Sequence, residues 1–414
     1  RGAAGGGARG LAGERVSGAV CRLAFWRRVG PFPFPGASGP VGSGQRLTNL
    51  SCILTIRIVK VDKATRSVRA GGETVRRFLV ENMADHPSDI VRLAASEFGC
   101  SRQAVHKHLQ RLIAEGAVVE SGQTRSKRYA LAPMGQWDRQ YDVVSSLAED
   151  AVWRSDIAPL LGRLPENVLS IWQFGVTEML NNVIDHSGAR RASVSLSQTA
   201  AATTIDIHDD GVGIFKKIQA ALRLEDERHA VLELAKGKFT TDPANHSGEG
   251  VFFASRVFDQ FVIASGEVFF SHDVDDREDW ILQAGSAHGG TLVRMVLHNG
   301  TARTLKKVFD RFTADDDYGF TKTVVPVKLM RYGDDNLVSR SQAKRLLARF
   351  DRFKVVVLDF SGVASVGQAF ADEVFRVFRN RHPEVDVVSI HASSEVKRMI
   401  SRARTLGASD GLGR

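Results

Sequence analysis

Cysteine is scarce in this chain, with three in 414 residues: Cys21, Cys52 and Cys100. Their spacing matches neither a disulfide framework nor a zinc site, which excludes a disulfide-stapled scaffold and fits a reducing, cytoplasmic setting. No uninterrupted apolar run approaches the ~18 residues that a membrane helix needs, so no membrane partner is expected. Acidic residues are nearly missing from one end. Residues 1–70 hold 12 Lys/Arg and 2 Asp/Glu, so the net charge of +9 resides there and the remainder sums to −1. The basic balance is therefore a property of the leader and not of the folded body. That leader also lacks hydrophobic periodicity and is rich in Gly, Arg and Pro, as in Gly5-Gly6-Gly7 and Pro31-Phe-Pro-Phe-Pro35. Residues 1–70 read as a disordered or non-native N-terminal extension, with an Arg-rich transit peptide as the alternative.

The length allows about two to three domains at ~100–200 residues each. The first is expected over 71–133. Thr74–Glu81 has helical spacing, and Ser88 is an N-cap candidate for a second helix running to Glu97. Gly99 marks a tight turn, and Ser101 caps a third helix with its apolar face at Val105, Leu109, Leu112 and Ile113. Residues 116–131 alternate like a hairpin with a basic tip. This order resembles a winged helix-turn-helix DNA-binding domain. Between Ser101 and Ala130 there are 6 Lys/Arg against 2 Glu. The candidate DNA contacts are Arg102, Gln103, His106 and Lys107 on the third helix, with Arg125, Lys127 and Arg128 on the hairpin. Trp137–Leu161 is expected to be an amphipathic helix.

The centre of the chain carries most of the chemistry. Val168, Trp172, Val176, Met179 and Val183 recur at helical spacing, while Glu178, Asn182 and Asp185 fall on another face at i, i+4 and i+7. Stacked in this way, two carboxylates and an amide can hold a hard cation and a water molecule, although a solvated helix face has the same residue types. Two alternating strands follow, Ala192–Leu196 and Ala202–Ile207, and the second runs into Asp209-x-Gly211-x-Gly213. The paired glycines let backbone pass close to a flat ring or a phosphate, and the Asp offers an acceptor to an exocyclic amine. A polar stretch then ends in Gly248-x-Gly250 and opens a helix whose N-terminal amides suit phosphate. Gly290-Thr291 enters a last strand.

These four motifs, in this order, resemble the GHKL superfamily of ATP-binding domains, which includes gyrase, chaperone, mismatch-repair and histidine-kinase ATPases and the anti-sigma-factor kinases. The resemblance implies an α/β sandwich over 138–300, a mixed sheet with helices on one face, binding ATP and Mg²⁺. It implies Asn182 as the Mg²⁺ residue, with Asp185 beside it, and Asp209 as acceptor for the adenine amine. Gly211 and Gly213 would admit the ring, and Thr291 would touch it. Gly248 and Gly250 would wrap the phosphates at the end of a lid over Lys216–Ser247, with Lys236 and Lys238 as phosphate contacts or solvated lid charges. Glu178 would activate water as the catalytic residue. No helical hairpin with a phosphorylatable His precedes the domain, which disfavours a sensor kinase.

Beyond an exit helix over Gly300–Phe312, strands and helices alternate over 316–408. Val355–Phe360 reads as a buried strand, and with the helix from Gly367 it resembles the STAS-type fold of anti-sigma-factor antagonists. Ala369 stands where that family carries its phosphoacceptor serine, so phosphotransfer to that position is not expected. Ser361 and Ser365 read as turn residues. The expected whole is a multidomain α+β protein: winged helix, GHKL sandwich, then STAS-like α/β domain. The favoured function is a slowly hydrolysing, ATP-binding cytoplasmic regulator coupling nucleotide state to DNA binding in transcriptional control. An anti-sigma-type Ser/Thr kinase and a non-enzymatic ATP-sensing scaffold are the alternatives. The implied partners are ATP, double-stranded DNA, a regulatory protein at the STAS-like domain and a second copy of the chain in a homodimer.

Overall fold

In the computed structural model, the described residues are 71–239, 248–274, 278–313, 319–330 and 337–409, without the side chains of 125, 278–280, 282–288 and 406–409. The expected N-terminal extension over 1–70 lies outside the described residues, as do residues 240–247 of the expected lid.

Three helices open the described chain: α1 (Gly72–Asn82), α2 (Ile90–Glu97) and α3 (Arg102–Ala114). Ser101 caps α3, its side chain accepting from the Ala104 N–H at 3.2 Å, which satisfies one of the orphan donors of the first turn. Ser88 does not cap α2. The chain turns through it, and Asp89 is the boundary residue. Gly99 takes φ +58 between α2 and α3, a conformation that a side chain disfavours. Val105, Leu109 and Leu112 point inward onto Leu79, Met83 and Ile90. The hairpin β1 (Val118–Ser121) and β2 (Arg128–Leu131) completes this unit antiparallel, with Tyr129 buried beneath it.

Next comes a five-stranded sheet, in the order β3-β4-β5-β7-β6, with β3 Gly135–Asp142, β4 Arg191–Gln198, β5 Ala202–Asp209, β6 Gln260–Asp273 and β7 Glu278–His298. The expected amphipathic helix over Trp137–Leu161 is half wrong. Its first part is the edge strand β3, with Trp137 opposite Leu196 and Tyr141 opposite Ala192. Its second part is helical over 149–161, widened to a π turn at Trp153–Ile157. The apolar spacing of Trp137 and Tyr141 fits one helix face and one strand face equally well, and pairing with β4 decides it. Neighbouring strands are antiparallel throughout, not mixed as expected. The helices after β5 cross over to β6, which runs in the same direction as β5, but β7 inserts between them.

Helix α4 (Glu166–Asn181) packs on this sheet through Val168, Ile171, Trp172, Val176 and Met179, all buried. Gly175 sits where any Cβ would strike the Phe258 ring and come within 3.1 Å of Met295 Sδ, so its bareness sets the close approach of helix to sheet. The crossover consists of α5 (Ile214–Leu222), α6 (Glu227–Lys236) and α7 (Gly250–Val257). The exit helix is shorter than expected. It starts at Leu305 because Thr304 caps it, and it tightens to a 3₁₀ turn at Asp310–Phe312.

The C-terminal domain has three parallel strands in the order β10-β9-β8: β8 Lys322–Pro326, β9 Val355–Asp359 and β10 Asp386–Ile390. Helix α8 (Arg340–Leu347) begins with a reciprocal capping box between Ser339 and Gln342, and α9 (Gln368–Asp372) leads into further helix to Arg381. Helix α10 (Ser394–Ser409) closes the described chain. Among the described residues no helix is long and apolar enough to cross a membrane.

Candidate functional site

The end of α4 and the ends of β5 and β7 converge on one cavity of about 290 Å³. Its walls are mostly apolar, from Ile207, Ile218, Ile263, Val293 and Phe252, with a few polar groups placed among them. This is the usual composition of a small-molecule pocket. Glu178, Asn182, Asp209, Gly213, Gly248, Gly250 and Thr291 all line it. They come from four separate stretches of sequence.

At its C-terminal end α4 widens into a π turn, Asn182–Ser187. The wider turn changes which side chains align. Glu178 and Asn182 stay together on the cavity side, but Asp185 is rotated to an exposed position outside the lining. Asp185 therefore does not line the cavity with them, unlike the i, i+4, i+7 expectation. The turn ends at Gly188, with φ +65. The loop after β5 and the helix α5 that follows it satisfy its last carbonyls: the Val212 N–H donates to the Ser187 carbonyl at 3.0 Å, and the Lys217 ammonium of α5 donates to that of His186.

Asp209 is buried at the end of β5. Its carboxylate accepts from the Gly211 N–H at 2.8 Å and from the backbone of Thr291. Burial raises its carboxyl pKa above the ordinary value, partly opposed by those hydrogen bonds. Thr291 lies directly opposite Asp209 on β7, and its hydroxyl accepts from the Ile214 N–H at 3.0 Å at the start of α5. Gly213, at φ +93, leaves only 2.6 Å between a would-be Cβ and Ser265 Oγ. Gly211 is not in the cavity wall. It is bare because the Ser187 carbonyl and the Asp209 carboxylate press against it, and its outer side faces a second, more open depression.

On the opposite wall, Gly250 begins α7 so close to Glu178 that a Cβ there would strike the carboxylate. A carboxylate at a helix N-terminus is held favourably by the amide dipoles. Glu249 beside it has its carboxyl pKa raised by burial.

Sequence reading missed Lys217, which lines the cavity from α5 and whose pKa is lowered by burial. Its position four residues after Gly213, at helical spacing, was the available signal. It also missed Phe239 and Ser265, whose roles depend on distant contacts. Lys236 is neither a phosphate contact nor a solvated lid charge. Lys236 is fully buried in an ion pair with Glu233 at 2.6 Å, and burial lowers its pKa to about 8. The Lys238 ammonium donates to the Arg352 carbonyl at 3.0 Å.

Away from the cavity, Arg102, Gln103, His106, Lys107 and Arg128 are exposed on α3 and the hairpin. Lys127 is held by Glu120 at 2.8 Å. The side chain of Arg125 lies outside the described residues.

As donors, Glu178 and Asn182 offer the hard oxygens that suit Mg²⁺, a metal that usually takes only one or two protein ligands beside a substrate's phosphates. Among the described residues no cluster of three or more His, Cys, Asp or Glu forms a metal cage. The cavity thus offers a buried acceptor at one end and hard oxygen donors beside a helix N-terminus at the other. Residues 342–397 match the family described as STAS-like domain of unknown function (DUF4325), so the chain carries a STAS-like domain at its C-terminus. No curated protein matches the chain.

Proposed function

We propose that the protein is a GHKL-type, Mg-dependent ATP-binding regulator whose nucleotide state governs DNA binding by an N-terminal winged helix. One observation carries this reading: apart from Asp185 and Gly211, the residues that the superfamily resemblance assigns to Mg²⁺, base and phosphates line a single cavity despite coming from four distant stretches. Asp209 is the acceptor for the adenine amine, and Gly213 and Thr291 flank the ring. Asn182 is the Mg²⁺ residue, and Gly248 and Gly250 lie on the phosphate side. When bound, Mg²⁺ neutralises charge on the phosphates. Glu178 is the group that orients and deprotonates water, a role that needs a carboxylate within hydrogen-bond reach of the attacking oxygen. Lys217 supplies a cation at the same wall.

The DNA half of the reading rests on α3 and the hairpin. A solvent-facing row of Arg102, Gln103, His106 and Lys107 beside Arg128 offers both phosphate and base-edge donors. The two halves adjoin: the chain passes from β2 to β3 in three residues, and the Met134 N–H donates to the Gln198 carbonyl at 2.7 Å. Movement at the sheet edge is thereby carried to the hairpin.

Hydrolysis is favoured over phosphotransfer within the chain. Ala369 occupies the second position of α9 and has no hydroxyl. The Ser361 hydroxyl is already committed to Asp359 at 2.7 Å. Radiolabelled ATP with wild type, Glu178→Gln and Asn182→Ala tests the reading. Release of inorganic phosphate by wild type alone is the expected result; label transferred to a second protein would replace it with a kinase.

A further inference from the structure

The wall of the cavity is held from outside by the STAS-like domain. Helix α6 and the residues after it contribute Leu234 and Phe239 to that wall, and residues 345–352 grip this segment. The Lys236 ammonium donates to the Arg345 and Ala348 carbonyls, both at 3.1 Å, as well as to Glu233. These carbonyls end α8 and would otherwise lack donors. The second oxygen of Glu233 accepts from Arg349 Nη1 at 2.7 Å, and Arg349 Nη2 donates to the Gly237 carbonyl at 2.8 Å. Lys238 and Arg352 exchange side-chain-to-carbonyl hydrogen bonds, both at 3.0 Å. From β8, the Thr323 hydroxyl donates to the Lys236 carbonyl at 2.7 Å.

Two features tie this grip to the cavity. The Arg349 guanidinium lies 5.2 Å over the ring of Phe239, which lines the cavity and whose N–H donates to the Gly248 carbonyl. Gly237, at φ +80, fits between Phe320 of the C-terminal side and Phe252 of the cavity wall; a Cβ would come within 2.6 and 3.1 Å of them. Lys238 and Arg349 are also two of the five non-glycine residues at positive φ among the described residues. Such conformations persist where surrounding contacts over-determine them.

We propose that this edge of the STAS-like domain is a built-in clasp whose partner is the chain's own segment 227–239, and that through Phe239 it sets the affinity of the Asn182 cavity. The ligand's identity as Mg-ATP rests on the function proposed above; the clasp itself does not. Separating the two sides takes Arg349 from Glu233 and the side-chain donors from six carbonyls, those of Lys236, Gly237, Lys238, Arg345, Ala348 and Arg352, so the contact is made or broken as a unit. Coupling of this kind is reciprocal: what tightens the cavity wall also tightens the clasp.

Hydrogen–deuterium exchange on the full chain, without nucleotide and with a non-hydrolysable Mg-ATP analogue, tests it, together with Arg349→Ala and the milder, near-isosteric Thr323→Val. Without nucleotide, the expected result is faster exchange over 227–239 in Arg349→Ala, by about fivefold or more, with β4 and β5 unchanged. With nucleotide, wild type should slow exchange over 340–352, and the variant should raise the Kd about 5- to 50-fold. If circular dichroism shows Arg349→Ala to be unfolded, Thr323→Val carries the same comparison with smaller changes of the same sign. Unchanged exchange over 227–239 in the folded variants overturns the clasp. A loosened segment with an unchanged Kd overturns its control of the cavity. Wild type that binds no nucleotide counts against the ATP reading and removes the coupling, while the nucleotide-free arm still decides the clasp.

Discussion

Asp209 and Thr291 face each other across β5 and β7, and the backbone of Thr291 donates to the Asp209 carboxylate. Strand pairing thus fixes a buried acceptor at the floor of the cavity. Because burial raises its pKa, this carboxyl takes up its proton at a higher pH than an exposed one. The protonated form is a weaker acceptor for an amine. ATP affinity should therefore fall on acidification, with a midpoint above the ordinary carboxylate value of 3.8. Titrations of wild type and Asp209→Asn across that range check this: the variant should bind at least about tenfold more weakly at neutral pH and lose the acid-side decline.

Glu178 and Asn182 have separable roles. Asn182→Ala should raise the Kd for Mg-ATP by about tenfold or more. Glu178→Gln should keep the Kd within about threefold and cut turnover by about 10²–10⁴. Equal losses of binding in both variants would put Glu178 in the ligand shell and not in the chemistry.

In the helix that carries these two residues, the apolar file from Val168 to Val183 was legible because 3.6-residue periodicity is a local property. The four cavity motifs were legible for the same reason, since each is a short local pattern of glycine or polar residues. Asp185 was misjudged because a π turn leaves no mark in apolar spacing. Trp137 and Tyr141 fit a helix or a strand until β4 is there to pair with them. Lys236 was misjudged because two of its partners, the carbonyls of Arg345 and Ala348, lie over a hundred residues downstream, where no local pattern reaches.

Removing the shared carboxylate of that long-range contact should be costly. Glu233→Gln leaves Lys236 and Arg349 buried without a counter-charge, and should lower unfolding free energy by about 3–5 kcal/mol. Denaturant titration reads this directly.

Gly237→Ala combines a left-handed backbone with a collision against Phe320. It should destabilise by about 1–3 kcal/mol. Gly135→Ala, which has open space around it, should be close to neutral in the same assay.

On the N-terminal unit, Arg102→Ala and Lys107→Ala should each weaken binding to duplex DNA irrespective of sequence, and each should reduce the slope of log K against log salt by about 1. Gel shifts over a range of salt give the slopes. An unchanged slope in both variants would move the DNA contact off α3.

The most direct test of the central claim is calorimetric titration of the full chain with ATP, in the presence and absence of Mg²⁺. The expected result is saturable, Mg-dependent binding, with a Kd below about 1 mM, that Asn182→Ala removes. Absence of binding by the folded wild-type chain, or binding indifferent to both Mg²⁺ and Asn182, would contradict it.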